Sequence, residues 1–349
     1  MFNHYKAVLG LTPLCYIRHA YATMNKKTSP NKIFCLFILA TTIILNACNS
    51  NNNSSKSNNR SIKTDESVKP TFKQHWGKGF TEVRRTFKNG LSFSDYGYQL
   101  EPDWRLTFLS DDSVNIYNPA TKTWGNAPIL FDHDSIFNIA WSYLRLKKQT
   151  RDSIIFQVMK VRGRILTRNE SVVYMTLYSN DYIKNVLHTT ADSLIHPSRK
   201  DSLFVQQMVK KANADTSKAF AGRQPTVLKS RNKLCSITRE TTSEENREES
   251  GLLADYLLPE FDAVIKNAYE DFSYSFTVLV DAKGKLLFVR SINFSFAEFE
   301  EQTNKTLRAI VNGYLTAYLD VTPASTLGMP HSSIVIMHVK GIKGSKKGI

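Results

Sequence analysis

Between Thr71 and Tyr182 apolar residues recur at every second position, and clusters of turn-forming residues interrupt them at short intervals. A period of two sends successive side chains to opposite faces of an extended chain, so such a segment folds as short antiparallel strands. Trp104, Leu106 and Phe108 share one face, Ser110-Asp111-Asp112-Ser113 makes a turn, and Val114 and Ile116 begin the return. Asn118-Pro119-Ala120-Thr121 breaks the chain again. The same pattern continues over Ile136 to Leu146. Ile154, Phe156 and Val158 follow Arg151-Asp152-Ser153, and Ile165 and then Val172, Tyr174 and Thr176 complete the series. The expectation for 71–197 is an antiparallel β barrel or sandwich.

That rhythm is similar to small lipocalin-like barrels of envelope proteins, and the resemblance implies a small-molecule or lipid carrier as one possible function. Trp76, Trp104, Trp124, Trp141, Tyr143 and Tyr174 could line a pocket, but strands favour aromatic residues for packing alone. Asp132-His133-Asp134 is the one local group with metal-ligand or acid-base chemistry. On a strand its histidine points away from both acids, so a solvated turn is expected. There is no His-x-x-x-His, Cys-x-x-Cys, Gly-x-Ser-x-Gly, Walker loop or dinucleotide fingerprint. The sequence therefore predicts no catalytic residues, no metal site and no cofactor.

Residues 198–250 read as a helix followed by a polar linker. Leu203, Phe204, Gln207, Met208 and Lys211 recur at helical spacing over Ser198–Ala214, and Thr241-Thr242-Ser243-Glu244-Glu245-Asn246-Arg247-Glu248-Glu249 is a solvated charge run. Within 251–341, Pro259 suits the first position of a helix whose apolar face is Phe261, Val264, Ile265, Ala268 and Tyr269. Phe276–Val280 and Leu286–Val289 flank Asp281-Ala282-Lys283-Gly284-Lys285, a hairpin in which Gly284 supplies the positive φ. A second helix is expected from Phe296 to Tyr318, then a loop at Pro323-Ala324 and a last strand from Ile334 to Val339. Residues 342–349 form a basic tail.

Val280-Asp281-Ala282-Lys283-Gly284-Lys285, the helix after it and Pro323-Ala324-Ser325-Thr326-Leu327-Gly328-Met329-Pro330 together resemble the C-terminal domain of TonB. The last stretch fits that family's Pro-Ala-x-x-x-Gly-x-Pro pattern ahead of its final strand. About a quarter of the chain is covered. Leu258-Pro259-Glu260-Phe261 replaces the family's Tyr-Pro, and Val321 stands where Trp or Phe is usual. The resemblance implies a small α+β module of two or three antiparallel strands on helices. It also implies binding of an envelope protein or peptide by strand addition at an exposed edge, here Ile334, Val335, Ile336, Met337, His338 and Val339.

Met24-Asn25-Lys26-Lys27-Thr28-Ser29-Pro30-Asn31-Lys32 is a basic leader, and Ile33 to Leu45 follows as thirteen largely apolar residues without a charge. A membrane-spanning helix needs about 20 such residues, so this is the length of a signal peptide. Leu45-Asn46-Ala47-Cys48 then resembles the lipobox of bacterial lipoproteins, which implies cleavage before Cys48 and lipid on its thiol. Residues 1–47 are thus expected to be removed, with translation starting at Met24, and the Asn- and Ser-rich stretch 48–70 to act as a tether. Asn49-Ser50-Asn51-Asn52 offers neither of the acidic sorting signals, which favours an outer-membrane anchor facing the periplasm.

All five Lys and Arg ahead of Cys48 lie in a segment without acids, which leaves 41 bases against 31 acids, or about +10, in the rest. Export makes nucleic acid a poor partner for that charge and anionic lipid headgroups or surface polymers a better one, while a solvated basic surface without a partner is the leading expectation. With Cys48 lipidated, Cys235 has no partner and is expected to be a small buried thiol. The leading expectation is a non-catalytic, lipid-anchored envelope protein that binds a protein or peptide through its C-terminal module.

Overall fold

The alternating segment closes into an eight-stranded antiparallel barrel in the computed structural model, which describes residues 69–119, 121–240, 256–292 and 297–344. The leader, Cys48, nearly all of the tether and the 241–249 charge run lie outside the described residues. The first ten strands are β1 (Gly79–Phe87), β2 (Arg105–Phe108), β3 (Ser113–Asn118), β4 (Thr123–His133), β5 (Ile136–Ile139), β6 (Ser142–Gln149), β7 (Ser153–Val158), β8 (Lys160–Arg162), β9 (Ile165–Thr167) and β10 (Val173–Ser179). Strands β1 to β7 and β10 form the ring, β1 pairing with both β2 and β10, so the ring has no edge. Strands β8 and β9 form a hairpin of their own.

Ile136 to Leu146 spans β5 and the first part of β6. Ala140 and Trp141 both take positive φ, 47° and 69°, and reverse the chain between β5 and β6. In β10 the core takes Met175 and Leu177 instead of Val172, Tyr174 and Thr176, because pairing with β7 turns the odd-numbered residues inward.

Inside the ring, Phe80, Leu106, Phe108, Ile129, Phe137, Ile139, Leu144, Phe156 and Leu177 are almost wholly buried in one cluster. Phe72, from ahead of β1, enters one end of the barrel and stacks on Phe108, with ring centroids 4.6 Å apart. Asp111, in the turn between β2 and β3, fixes this plug by accepting from Phe72 N at 2.7 Å, from the Thr71 hydroxyl and from Trp76 Nε1. Burial works against the Asp111 carboxylate, but these donors and Lys69 hold its pKa below the usual range. Behind the plug His75 is fully buried, edge-on to Phe80, and neither ring nitrogen has a partner among the described residues.

The remaining strands are β11 (Val227–Ser230), β12 (Cys235–Glu240), β13 (Glu260–Ala268), β14 (Phe272–Val280), β15 (Leu286–Ser291), β16 (Leu319–Thr322), β17 (Ser325–Thr326), β18 (Met329–Pro330) and β19 (Ser333–Lys343). Five of them form a mixed sheet in the order β12-β13-β19-β14-β15, and β11 pairs with β16. Helices α1 (Arg199–Ala214) and α2 (Ala297–Ile310) complete the fold, α2 continuing as a π turn over Val311–Leu315. Leu307, Ile310, Val311 and Leu315 cover one face of the sheet, packing with Phe261, Ile265, Phe276, Val278, Val335 and Met337.

Three expectations are overturned here. The helix expected from Pro259 is β13. Phe261, Ala263 and Ile265 alternate as well as Phe261, Val264, Ile265 and Ala268 repeat helically, and pairing with β12 and β19 decides for the strand. The strand expected to be an edge is central, since β19 runs parallel to β13 and antiparallel to β14. Ile334, Val335, Ile336, Met337, His338 and Val339 thus have a neighbouring strand on each side for most of their length. Nor is the region after α1 a linker throughout, since β11 and β12 belong to the C-terminal sheets, and barrel and sheets fall in one compact unit. The hairpin of β14 and β15, helix α2 and the buried Cys235 lie where expected.

Helix α1 begins with a capping box, Ser198 and Asp201 each accepting from the other's backbone N–H. Asp201 is fully buried and also accepts from Ser92 N at 2.7 Å, tying the helix to the loop that leaves β1. Its buried face is Val205, Val209 and Ala212, packed with Phe93 and Phe220, one step round from the face read in the sequence. Burial disfavours the Asp201 charge, but the Ser198 and Ser92 donors outweigh it and hold the pKa below its ordinary value. Its stabilisation is therefore complete above the unfolded-state pKa, about 3.9, and is lost as pH falls through the lower folded value. Asp201→Asn should cost about 1–3 kcal/mol at pH 7 in urea unfolding, and the gap to the parent should narrow below about pH 4. A gap independent of pH would show that the charge is not what matters.

Candidate functional site

Phe72 closes one end of the barrel, and the apolar residues toward the opposite end are less buried among the described residues. There the register brings Phe87, Val158 and Val173 to one level of the wall and Ile116 opposite Gly125 on the other side. Trp104, Ile116, Ala127, Ala140 and Val158 pack on the core from above yet stay only partly buried. Gly125 is exposed, and a Cβ built on it meets no atom of the described residues within 4 Å. Trp141 stands at the tip of the β5–β6 turn at this same end, 82% exposed and in a backbone region that a bulky residue rarely occupies. An exposed tryptophan held in a strained turn is a common mark of a binding surface.

One polar group interrupts this apolar wall. A bulge in β1 lets Glu82 face inward opposite Leu177 and Arg85 opposite Met175. Glu82 is fully buried and accepts from Arg85 Nε at 2.8 Å and Nη2 at 2.6 Å, and from the backbone N–H groups of Asp103 and Trp104. Asp103 accepts a further bond from Arg85 Nη2, at 2.6 Å. Burial pushes the Glu82 carboxyl above its usual range, and its four donors offset this only in part. Burial opposes the Arg85 charge too, but Glu82 and Asp103 outweigh it and raise the pKa. Glu82 and Asp103 both accept from the one guanidinium, so Arg85 is already engaged and is not free to pair with an anionic ligand.

The six residues expected to bind a partner are placed differently. Val335, Met337 and Val339 face the helix-covered core, while Ile334, Ile336 and His338 lie on the other face of the sheet, where Ile336 is buried as well. On that face His338 Nδ1 is 2.7 Å from Ser275 Oγ, and its Nε2 is 3.4 Å from Glu260 Oε2. Serine, imidazole and carboxylate in a row suggest a hydrolase, but Ser275 sits in mid-strand with β19 and β15 on either side. Neighbouring backbone N–H groups serve the ladder and do not form an oxyanion hole. Asp132, His133 and Asp134 do not converge: His133 bonds to Asp132, while Asp134, at φ 51°, pairs with Arg168.

Sequence reasoning missed Glu82, Arg85 and Gly125. A bulge shifts the parity that would have placed Glu82 and Arg85 on one face, and an inward glycine leaves no apolar signal. No known protein family matches the chain, and no curated protein matches it. Among solved structures one match is titled "The Siderocalin Ex-FABP functions through dual ligand specificities". It is 10% identical, covers 40% of this chain and 83% of that one, and has a TM-score of 0.19. At that score the likeness carries no functional weight.

Proposed function

We propose that this chain is a non-catalytic, lipid-anchored protein of the cell envelope whose barrel holds a small apolar or neutral amphiphilic molecule at its mouth. The observation that carries the reading is the set of partly buried apolar residues Trp104, Ile116, Ala127 and Val158 packed on the core of the closed barrel. Apolar surface left exposed above that core gains about 25 cal/mol per Å² when a ligand covers it. Arg85 and Asp103 offer a donor and an acceptor at the rim, which suits a neutral polar group better than a charged one. Because Phe72, Phe108, Phe137 and Phe156 fill the lower barrel, the ligand sits across the mouth and not in a deep calyx. Partner capture by strand addition at β19 loses its basis, since the chain's own β13 and β14 flank that strand.

The anchor rests on Leu45-Asn46-Ala47-Cys48 and the apolar run before it, with Cys48 as the lipid acceptor, and the missing acidic sorting residues favour the outer membrane facing the periplasm. The order of hairpin, helix α2 and closing strand supports a TonB C-terminal-like α+β module, enlarged here by β12 and β13.

Titration with the neutral fluorophore N-phenylnaphthylamine tests the binding reading. Gly125→Leu adds a side chain where a Cβ meets no atom within 4 Å and should lower affinity at least tenfold while leaving the unfolding midpoint unchanged. Dodecanoate should compete poorly, because Glu82 and Asp103 already engage Arg85. Equal probe binding by the parent and the Gly125→Leu protein would place the ligand elsewhere.

A further inference from the structure

The face of the five-stranded sheet opposite α2 carries, at the end of β12, a cluster that the barrel function does not use. Cross-strand pairing puts Glu240 of β12 directly opposite Glu260 of β13, and Asp262 of β13 directly opposite His338 of β19. One carboxylate oxygen each from Glu240 and Glu260 and one ring nitrogen of His338 lie within 4.8 Å of one another. Like charges directly opposite across a sheet repel, and a fold without compensation would be destabilised by them. Burial, a hydrogen bond with Asp262 and the charges of Asp262 and Glu260 all push the Glu240 carboxyl above its usual range, and His338 only partly offsets them.

His338 is oriented as a ligand would be. Ser275 Oγ engages Nδ1, which fixes the ring and leaves Nε2 on the carboxylate side. A partner on the far nitrogen of this kind is a regular feature of metal-bound histidines. The three ligating residues come from adjacent paired strands, a rigid base for a coordination site. Exposed Glu240 has the freedom to close the remaining distance by rotating its side chain.

We propose that Glu240, Glu260 and His338 bind one divalent transition-metal ion, with Asp262 beside them as a third carboxylate and Ser275 orienting the imidazole. One imidazole with carboxylates is a donor set that zinc and manganese accept and that calcium, which takes oxygen ligands alone, does not favour. The sites lie on different parts of the fold, so the proposal stands or falls apart from the barrel function.

Calorimetric titration of the untagged full chain, stripped with chelator, with zinc chloride and separately with manganese and calcium chlorides tests it. One saturable zinc site per chain is expected, together with a rise in melting temperature. His338→Asn and Glu260→Gln should each weaken zinc at least thirtyfold, Ser275→Ala should weaken it about tenfold, and probe binding at the barrel should be unchanged. Glu240→Gln, at an exposed position, serves if a more buried variant fails to fold. No saturable zinc binding, or equal binding by the parent, His338→Asn and Glu240→Gln proteins, would overturn the proposal.

Discussion

Proline at either Ile336 or Met337 should prevent the C-terminal sheet from folding. Both residues pair on two sides, Ile336 with Glu260 and Thr277 and Met337 with Phe261 and Phe276. In a strand flanked on both sides, successive N–H groups point to opposite neighbours, so removing either one breaks a ladder bond and leaves a buried carbonyl without its donor. The ring also forces the local backbone away from its paired geometry. Together these cost on the order of 4 kcal/mol or more, comparable with the whole stability of many domains. Circular dichroism and urea unfolding should show both variants losing the sheet. Had β19 been an edge, one of the two would have kept parental stability, and finding that would show a free side.

Phe72→Ala should be nearly as damaging to the barrel. The ring is fully buried and contacts Phe108, Phe137 and Phe156, all of which it would leave facing a void. A buried Phe→Ala change costs about 3–5 kcal/mol through lost transfer energy and the cavity left behind. Phe72→Leu, which keeps most of the volume, should recover more than half of that in urea unfolding. Equal loss in both variants would mean that the stack, rather than the filled space, holds the plug.

The barrel strands were legible where alternation and turn residues coincide, as from Leu106 to Ile116 and from Ile154 to Val158. Closure was not legible, because a period of two says which face a residue occupies and nothing about which strand lies beside it. For the same reason the residues of β19 were found and their central place was not. Phe261, Val264, Ile265 and Ala268 satisfy a helix while Phe261, Ala263 and Ile265 satisfy a strand, and only the neighbours of β13 settle the matter. Phe72 precedes the first strand and carries no periodic signal. The cluster on the sheet face opposite α2 joins residues 20 and 78 positions from Glu260, so it needs the register as well as the sequence.

The central claim is that a neutral ligand sits across the barrel mouth. Methyl-detected NMR of the isotope-labelled chain during titration with N-phenylnaphthylamine measures this at single residues. Signals of Ile116, Ala127 and Val158 should shift together and saturate with the fluorescence, while those of Val335 and Val339 in the sheet core stay in place. Saturation of the fluorescence with these three methyls unmoved, or with shifts confined to the C-terminal sheet, would contradict it.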